Sequence, residues 1–266
     1  MTIKNNTEIL NINFKILIIL LIYNSYNETY YILYKMNNLI LVRHGQSHWN
    51  SERRFTGWAD IDLTEKGKLE AKLAGKLIKE LNIHFDRYFT SNLKRAINSL
   101  EIILKTLNKT NIKFVKSKSL NERHYGGLTS LNKDEIIKKY GHKQVKIWRR
   151  SFDVRPPEMD AKHPYKKIIN SSVSSESLKD TFERVVPYYK TNIEPLIMSK
   201  KNILIVFHGN SCRALLMKIF NISKSKISEF EIPTGNPLLI NFNDKLKVQN
   251  YKYLDKNRAK KILFNV

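Results

Sequence analysis

The residues best suited to chemistry in this chain are two histidines that each follow an apolar run and precede a glycine. His44 follows residues 38–42 and Arg43, and His208 follows residues 203–207. A neutral imidazole is a competent nucleophile near neutral pH, and phosphohistidine is labile enough to pass its phosphoryl group on. Arg-His-Gly alone is a weak signal, but two apolar runs that both end in His-Gly are hard to explain by packing alone.

The elements around these histidines predict an α/β fold with a mostly parallel sheet. Apolar runs read as strands at residues 38–42, 86–90, 112–115 and 203–207, and helical patterns lie between them, from Thr64 onward and at residues 93–107. Ligands bind at the carboxyl edge of such sheets. Arg95 falls in the first turn of a helix after a strand, where a phosphate would meet its guanidinium and free backbone N–H groups.

Several further elements are predicted from spacing. The helix after Thr64 has an apolar face made of leucines every four residues, namely Leu69, Leu73, Leu77 and Leu81, with Ala74 and Ile78 beside them. Gly141 separates two short helices at 133–140 and 142–150. Residues 177–198 are helical, with Pro187 and Pro195 expected to bend or interrupt the helix. A helix at 212–220 and strands at 238–242 and 248–254 close the domain.

The strand and helix pattern lapses between about residues 120 and 175. Loop-like sequence there is rich in Arg, Glu, Tyr and His. A long interruption of this composition is more typical of a lid or specificity insertion than of a linker. We therefore expect this insertion to lie over the site.

Composition limits the classes of function. The chain has 266 residues, of which 42% are hydrophobic and 27% charged, as in a globular protein with one substantial core. The single cysteine excludes a disulfide within the chain, and no Cys/His or acidic cluster has the spacing of a zinc or calcium site. We expect any phosphoryl chemistry to use side chains alone, with no metal.

The net charge of +23 raises nucleic-acid binding as a hypothesis. The basic residues are spread along the whole chain, and no helix-turn-helix, finger or RNP motif accompanies them. The charge is better explained as a solvated surface that attracts multiply charged phosphate esters.

The first 35 residues contain an apolar run at 14–23, too short for a bilayer span of roughly 20 residues. No small-residue cleavage site of a signal peptide follows it. We expect either a natural start at Met36 or an appended segment at 1–35, with the catalytic domain at 36–266. We further expect a cytoplasmic protein without membrane contact.

Six motifs in order give a more specific indication. They are RHGQSHWN at 43–50, RFTGW at 54–58, TSNLKRA at 90–96, NERHYGGL at 121–128, WRRSF at 148–152 and HGNSCRAL at 208–215. From about residue 36 to 254 the chain resembles the cofactor-dependent phosphoglycerate mutases of the histidine phosphatase superfamily. The resemblance implies a three-layer α/β/α fold, and commonly a homodimer or tetramer.

The resemblance assigns a role to each candidate residue. His44 would be the nucleophile, Arg43 and Arg95 would hold phosphate oxygens with planar donor forks, His208 would contact the transferring phosphate, and Glu122 would be the acid and base. Substrate contacts implied by the resemblance are Ser47, Asn50, Thr56, Gly57, Tyr125, Lys133, Arg149, Arg150, Gly209 and Asn210. His124 is interpreted as structural, and the other histidines as surface or packing residues.

The implied reaction interconverts 3-phosphoglycerate and 2-phosphoglycerate in glycolysis and gluconeogenesis. Phosphorylated His44 would pass its group to the substrate, giving 2,3-bisphosphoglycerate, which also primes the enzyme. The alternatives are a phosphatase or bisphosphoglycerate-handling enzyme on the same scaffold and, from another class, a basic nucleic-acid-binding module.

Three departures from the family pattern carry expectations of their own. Gln46 replaces a usual Glu and is expected to change the charge around His44, and Thr129 and Ser130 replace a Gln-Gly pair. The sequence after residue 252 is shorter than the closing tail of many such mutases. We expect weaker closure and more hydrolysis of the phosphohistidine.

Overall fold

The structure is a computed structural model that describes residues 37–259. Residues 1–36 and 260–266 lie outside this range, and so do the predictions about segment 1–35, the start at Met36 and the end of the chain. Between residues 37 and 259, no helix is long and apolar enough to cross a membrane.

A six-stranded sheet lies at the centre of the described chain. Its strands are β1 Asn37–Arg43, β2 Arg87–Thr90, β3 Val115–Lys116, β4 Ile203–Phe207, β5 Leu238–Phe242 and β6 Val248–Tyr253. The strand order is β3-β2-β4-β1-β5-β6. The first four strands in this order pair in parallel, whereas β5 pairs antiparallel with both β1 and β6. The predicted mostly parallel sheet is confirmed.

Helices cover both faces of the sheet. They are α1 His48–Ser51, α2 Glu65–Lys79, α3 Lys94–Thr106, α4 Lys133–Arg150, α5 Lys166–Ile169, α6 Leu178–Asn192, α7 Glu194–Met198 and α8 Gly209–Phe220. Successive residues of β1 point to opposite faces. Leu39 and Leu41 join a core with α6, α7 and α8, whereas Ile40 and Val42 join a core with α2 and α3. The three-layer arrangement is thereby confirmed.

Several boundaries differ from the prediction. Strand β3 spans only Val115–Lys116, and α8 begins at Gly209, three residues early. Pro187 lies inside α6 without ending it, because Val185, Val186 and Tyr189 on this helix are buried and its packing compensates for one lost hydrogen bond. The predicted break at Gly141 is present, since this residue has non-helical φ and ψ within α4.

The buried face of α2 was predicted correctly only in part. Ala74 and Ile78 are buried as expected, but Leu69 and Leu73 are 67% and 40% exposed, and Gly67, Ala71 and Gly75 complete the buried face. A Cβ on Gly75 would lie 2.6 Å from the Cβ of Thr106 on α3. The two helices approach too closely for leucine, so small residues form the contact.

Candidate active site

The ends of two neighbouring parallel strands bring the histidines together. Arg43 at the end of β1 pairs with Phe207 at the end of β4, and the His44 N–H donates to the Phe207 carbonyl at 2.9 Å. The His44 and His208 rings pack edge to face with centroids 5.0 Å apart. Both imidazoles thus lie at the carboxyl edge of the sheet, where the sequence placed them.

Two glycines fix the loop that follows His44. A Cβ on Gly45 would lie 2.1 Å from the Gly67 carbonyl oxygen, and a Cβ on Gly67 would lie 2.0 Å from the Gln46 carbonyl oxygen. Such distances exclude side chains, so the loop presses directly on the first turn of α2. The Gly45 N–H also donates to the Ser99 hydroxyl on α3 at 3.0 Å.

Gln46 is hydrogen-bonded to α2 and to the residue that caps it. The oxygen of its side-chain amide accepts a hydrogen bond from the Thr64 hydroxyl at 3.1 Å. Its backbone N–H donates to the Glu70 carboxylate at 2.8 Å. The Gln46 side chain therefore contacts the residue that caps α2, and the charged groups next to His44 are the arginines described below.

His44 is held as a neutral base. Its Nδ1 lies 2.6 Å from the Gly45 carbonyl oxygen, which can only accept, so Nδ1 carries the proton and Nε2 carries the lone pair. The Arg95 Nε–H donates to this Nε2 at 3.3 Å. Burial, together with Arg95 and Arg43, holds the pKa of His44 well below its usual value. The nucleophilic nitrogen is therefore unprotonated and next to a cation.

Arg95 and Arg43 are fixed by backbone carbonyls. Arg95 donates to the carbonyl oxygens of Ala59 and Gly57 at 2.9 and 2.7 Å, and Arg43 donates to that of Ile232 at 2.7 Å. Burial lowers the pKa of Arg95 to about 10, which still leaves it protonated at neutral pH. These guanidiniums are held in place before any ligand arrives.

His208 makes a different set of contacts. Its Nε2 lies 2.7 Å from the Ser91 hydroxyl oxygen, and its buried Nδ1 has no hydrogen-bond partner among the described residues. Burial, with Arg95 and His44, holds the pKa of His208 well below its usual value. Ser91 belongs to the TSNLKRA motif, but the sequence analysis gave it no role.

One cavity that opens to solvent brings together most of the predicted residues. Its lining comprises Arg43, His44, Asn50, Arg54, Phe55, Thr56, Gly57, Arg95, Glu122, Tyr125, Lys133, Arg149, Arg150, Gly209, Asn210 and Arg213. Two predicted residues do not line it. His208 is fully buried against His44, and the Ser47 hydroxyl accepts from the Asn50 N–H and caps α1.

The cavity is strongly basic. Glu122 is the single carboxylate among its lining residues, beside the cations Arg43, Arg54, Arg95, Lys133, Arg149, Arg150 and Arg213. Burial lowers the pKa of Arg213 to about 9, and repulsion from the Arg150 cation adds to this decrease. Arg54 and Arg150 are also paired with Glu52 and Glu231 outside the lining, but seven cations beside one carboxylate still suit a multiply charged anion.

Glu122 is held at both its carboxylate and its backbone. Its Oε1 accepts from the backbone N–H groups of Arg123 and Asn210 at 2.7 and 3.2 Å. Its carbonyl accepts from the Trp58 indole and from Arg184. Arg184 also donates to the carbonyls of the two residues Ser119 and Asn121 and forms a two-pronged ion pair with Glu176.

The insertion supplies part of the cavity wall, through Tyr125, Lys133, Arg149 and Arg150. The Asn210 amide donates to the Tyr125 hydroxyl at 3.2 Å, and Lys133 donates to the Arg54 carbonyl at 2.6 Å. Burial raises the pKa of Tyr125, but Arg123 and Arg149 outweigh it and bring that pKa to about 7. Burial lowers the pKa of Lys133 to about 8. Both groups therefore titrate close to physiological pH.

Sequence reasoning missed three arginines, and one of them, Arg54 of the RFTGW motif, lines the cavity. Arg213 also lines the cavity and donates to the Asn210 side chain at 3.0 Å, one helical turn away on α8. The i, i+3 spacing of Asn210 and Arg213 inside the HGNSCRAL motif could have indicated this contact. No sequence feature indicated a role for Arg184, because a single arginine in an amphipathic helix is usually solvated.

His124 is buried away from the cavity lining. Its ring packs on Trp58 with centroids 5.0 Å apart, and its Nδ1 accepts from the Gly126 N–H at 3.0 Å. Burial lowers the pKa of His124 to about 4. Its contacts fit the structural role expected from the sequence.

The sequence profile of the histidine phosphatase superfamily (branch 1) matches residues 39–250. The chain belongs to the histidine phosphatase superfamily. Among members of this superfamily, the chain is 48% identical over 237 residues to the 2,3-bisphosphoglycerate-dependent phosphoglycerate mutase of Pelagibacter ubique, covering 86% of this chain and 99% of that protein. It is 51% identical to the enzyme of the same name from Buchnera aphidicola, covering 83% and 100%.

Solved structures with low sequence identity share the fold. A mycobacterial glucosyl-3-phosphoglycerate phosphatase superposes with a TM-score of 0.61 at 19% identity, covering 81% of this chain and 96% of that one. An alpha-ribazole phosphatase from Shigella flexneri also gives 0.61 at 19% identity, covering 79% and 93%. At this identity the likeness concerns the fold alone.

Proposed function

We propose that this protein interconverts 3-phosphoglycerate and 2-phosphoglycerate, with 2,3-bisphosphoglycerate as primer and intermediate. The observation that carries the proposal is one cavity that holds a neutral His44, a single carboxylate and basic groups at both ends. The names and near-complete coverage of the mutase relatives support it. The reaction belongs to glycolysis and gluconeogenesis, which agrees with the proposed cytoplasmic location.

The chemistry follows from the side chains. Glu122 takes the proton from the free hydroxyl of 3-phosphoglycerate, whose oxygen attacks the phosphorus on His44 as the bond from phosphorus to Nε2 breaks. The product, 2,3-bisphosphoglycerate, turns in the cavity. His44 then attacks the other phosphate, and Glu122 returns the proton to the departing oxygen. Arg43, Arg95 and His208 stabilise the charge on the transferring group.

The remaining cavity residues bind the rest of the substrate. Tyr125, Lys133, Arg149 and Arg150 are proposed to hold the carboxylate and the second phosphate, far from His44. Further proposed contacts are Asn50, Thr56, Gly57, Gly209 and Asn210. Ser47 would act through Asn50, because its hydroxyl caps α1.

The experiment is conversion of 3-phosphoglycerate with chelator present, with and without 2,3-bisphosphoglycerate, using the wild type and His44→Ala. We expect turnover that survives chelation, depends on the bisphosphate and disappears in the variant. Release of phosphate alone would replace the mutase with a phosphatase. Loss of turnover with chelator would contradict the proposed metal independence.

Two proposals concern the whole protein. The catalytic domain is proposed to comprise residues 36–266, and the protein is proposed to form a homodimer or tetramer. Sedimentation equilibrium gives the oligomeric mass directly, and a monomer at micromolar concentration would contradict the second proposal.

A further inference from the structure

The contact between Ser91 and His208 is the buried interaction at the site that the proposed mechanism leaves unexplained. Ser91 directly follows β2, whose Thr90 pairs with Val206 of β4. Ser91 is fully buried, and its hydroxyl oxygen lies 2.7 Å from His208 Nε2. Parallel pairing of β2 and β4 therefore places this hydroxyl beside the second histidine.

The proton positions follow from counting donors and acceptors. The Ser91 oxygen already accepts from the Leu93 N–H at 3.1 Å. If His208 Nε2 donated to Ser91 as well, the buried serine hydrogen would have no acceptor among its contacts in the described chain. If Ser91 donates to Nε2, both groups of this contact are paired and the Nδ1–H is the one group left without a partner, whereas the first arrangement leaves both the serine O–H and the Nδ1 lone pair unpaired. The second arrangement is favoured because each buried hydrogen bond that is not made costs about 1–3 kcal/mol.

This arrangement determines the tautomer of His208. With Nε2 accepting from Ser91, the proton of a neutral ring must lie on Nδ1. The direction of the His208 pKa supports a neutral ring. Nδ1 is the buried ring nitrogen without a partner, so its N–H is available to a phosphoryl oxygen on the adjacent His44. In the other tautomer, a lone pair would face that oxygen and repel it.

We propose that Ser91 is a positioning residue that fixes His208 as the Nδ1–H tautomer, so that His208 donates a hydrogen bond to the transferring phosphoryl group. The part concerning phosphate rests on the proposed function, whereas the tautomer does not. The residue acts through His208 and makes no contact with substrate.

The test is ¹⁵N NMR of full-length protein labelled at histidine, with the His208 signals assigned by their loss in His208→Asn. In the wild type we expect a protonated Nδ1 and an unprotonated Nε2. In Ser91→Ala the preference for Nδ1–H should disappear. The kcat should fall about 10- to 100-fold, by analogy with residues that orient metal-ligating histidines, and KM should change less than about twofold because ground-state contacts remain.

Two variants separate positioning from general damage. Thr90→Val removes the neighbouring buried hydroxyl, which donates to the Val206 carbonyl at 2.7 Å and does not touch His208. It should leave the tautomer and kcat near wild type. Ser91→Thr retains a hydroxyl and should recover most of both.

The outcomes are distinct. A wild-type ring protonated at Nε2 would overturn the inference, and so would Ser91→Ala with unchanged tautomer and kcat. Equal losses in Ser91→Ala and Thr90→Val would overturn the positioning role in favour of a purely structural one. The expected tautomer in a protein that only releases phosphate would uphold the role of Ser91 while refuting the mutase.

Discussion

The two ends of the cavity are built differently. The phosphoryl end, formed by Arg43, His44, Arg95 and His208, lies where β1, β2 and β4 end, and its arginines are bonded to backbone carbonyls. The insertion end, formed by Tyr125, Lys133, Arg149 and Arg150, comes from a loop and from α4. Lys133 and Arg150 also donate to backbone carbonyls, but all four side chains are half-buried, whereas His44, Arg95 and His208 are buried. A fixed end suits charge that develops in the transition state, whereas a looser end suits recognition of a substrate that turns.

The largest effect is expected at the phosphoryl end from Arg95→Lys. Lysine retains the charge but cannot reach His44, Ala59 and Gly57 at once, as the guanidinium does. We expect kcat to fall about 10³-fold, by analogy with other arginines that stabilise phosphoryl transfer. Steady-state kinetics would measure it, with exposed Arg87→Lys as the control. An increase in KM with unchanged kcat would show that Arg95 acts in substrate binding, as the insertion end does, and would remove the distinction between the two ends.

A smaller but still large effect is expected from Arg184→Lys, which loosens the backbone around Glu122. The fork of Arg184 meets Glu176 and three backbone carbonyls, and a lysine would leave some of these unpaired. We expect kcat to fall about 10²-fold through misplaced Glu122. We also expect unfolding to become easier by about 3 kcal/mol, which denaturant titration would measure.

Arg155→Lys on the neighbouring surface is the matched control for Arg184. It also forms a two-pronged pair, with Asp180 of α6, but it is exposed. An exposed pair contributes at most about 1 kcal/mol. Similar losses in the two variants would show that the Arg184 network has no special bearing on Glu122.

At the insertion end, Arg149→Ala should act on KM. Its guanidinium lines the cavity, and we propose that it holds the substrate carboxylate or the phosphate that is not being transferred. We expect KM for 3-phosphoglycerate to rise about 10- to 100-fold with kcat changed only a few-fold, the signature of uniform binding. Exposed Lys146→Ala on the same helix is the control. A larger change in kcat than in KM would mean that both ends stabilise the transition state.

The pH dependence of binding should also distinguish the ends. As the pH rises from 7 to 9, Tyr125 becomes a phenolate and Lys133 becomes neutral, so the net charge of the insertion end falls by up to two units. KM should therefore rise with pH by at most about tenfold, while kcat changes less. Tyr125→Phe should reduce this rise. A KM that does not change between pH 7 and 9 would contradict the proposed role of Tyr125 and Lys133 in substrate binding.

The phosphoryl end could be predicted from sequence because its residues adjoin the elements that hold them. Arg43 and His44 directly follow a strand, and Arg95 opens a helix, so local pattern gave their position. The exposed Leu69 shows where local pattern fails. Its spacing indicates an apolar face, yet the close approach of α2 and α3 at Gly75 selects the small residues instead. Ser91 and Arg184 act through long-range contacts that no local pattern reports.

The smallest expected effect is the acid sensitivity that the buried histidines give to the fold. Burial lowers the pKa of His44, His208 and His124, so the unfolded chain binds more protons than the native chain below pH 6.5. Stability is thus complete above that pH and falls as the pH drops, by up to about 1.4 kcal/mol per pH unit for each histidine. His124→Gln should remove the contribution of about one histidine from the slope of unfolding free energy against pH between pH 6 and 5, as measured by urea unfolding at each pH. Because His124 lies outside the cavity lining, the kcat of the variant should equal that of the wild type over the same range. A kcat that changed together with stability would mean that the packing of His124 affects the phosphoryl end.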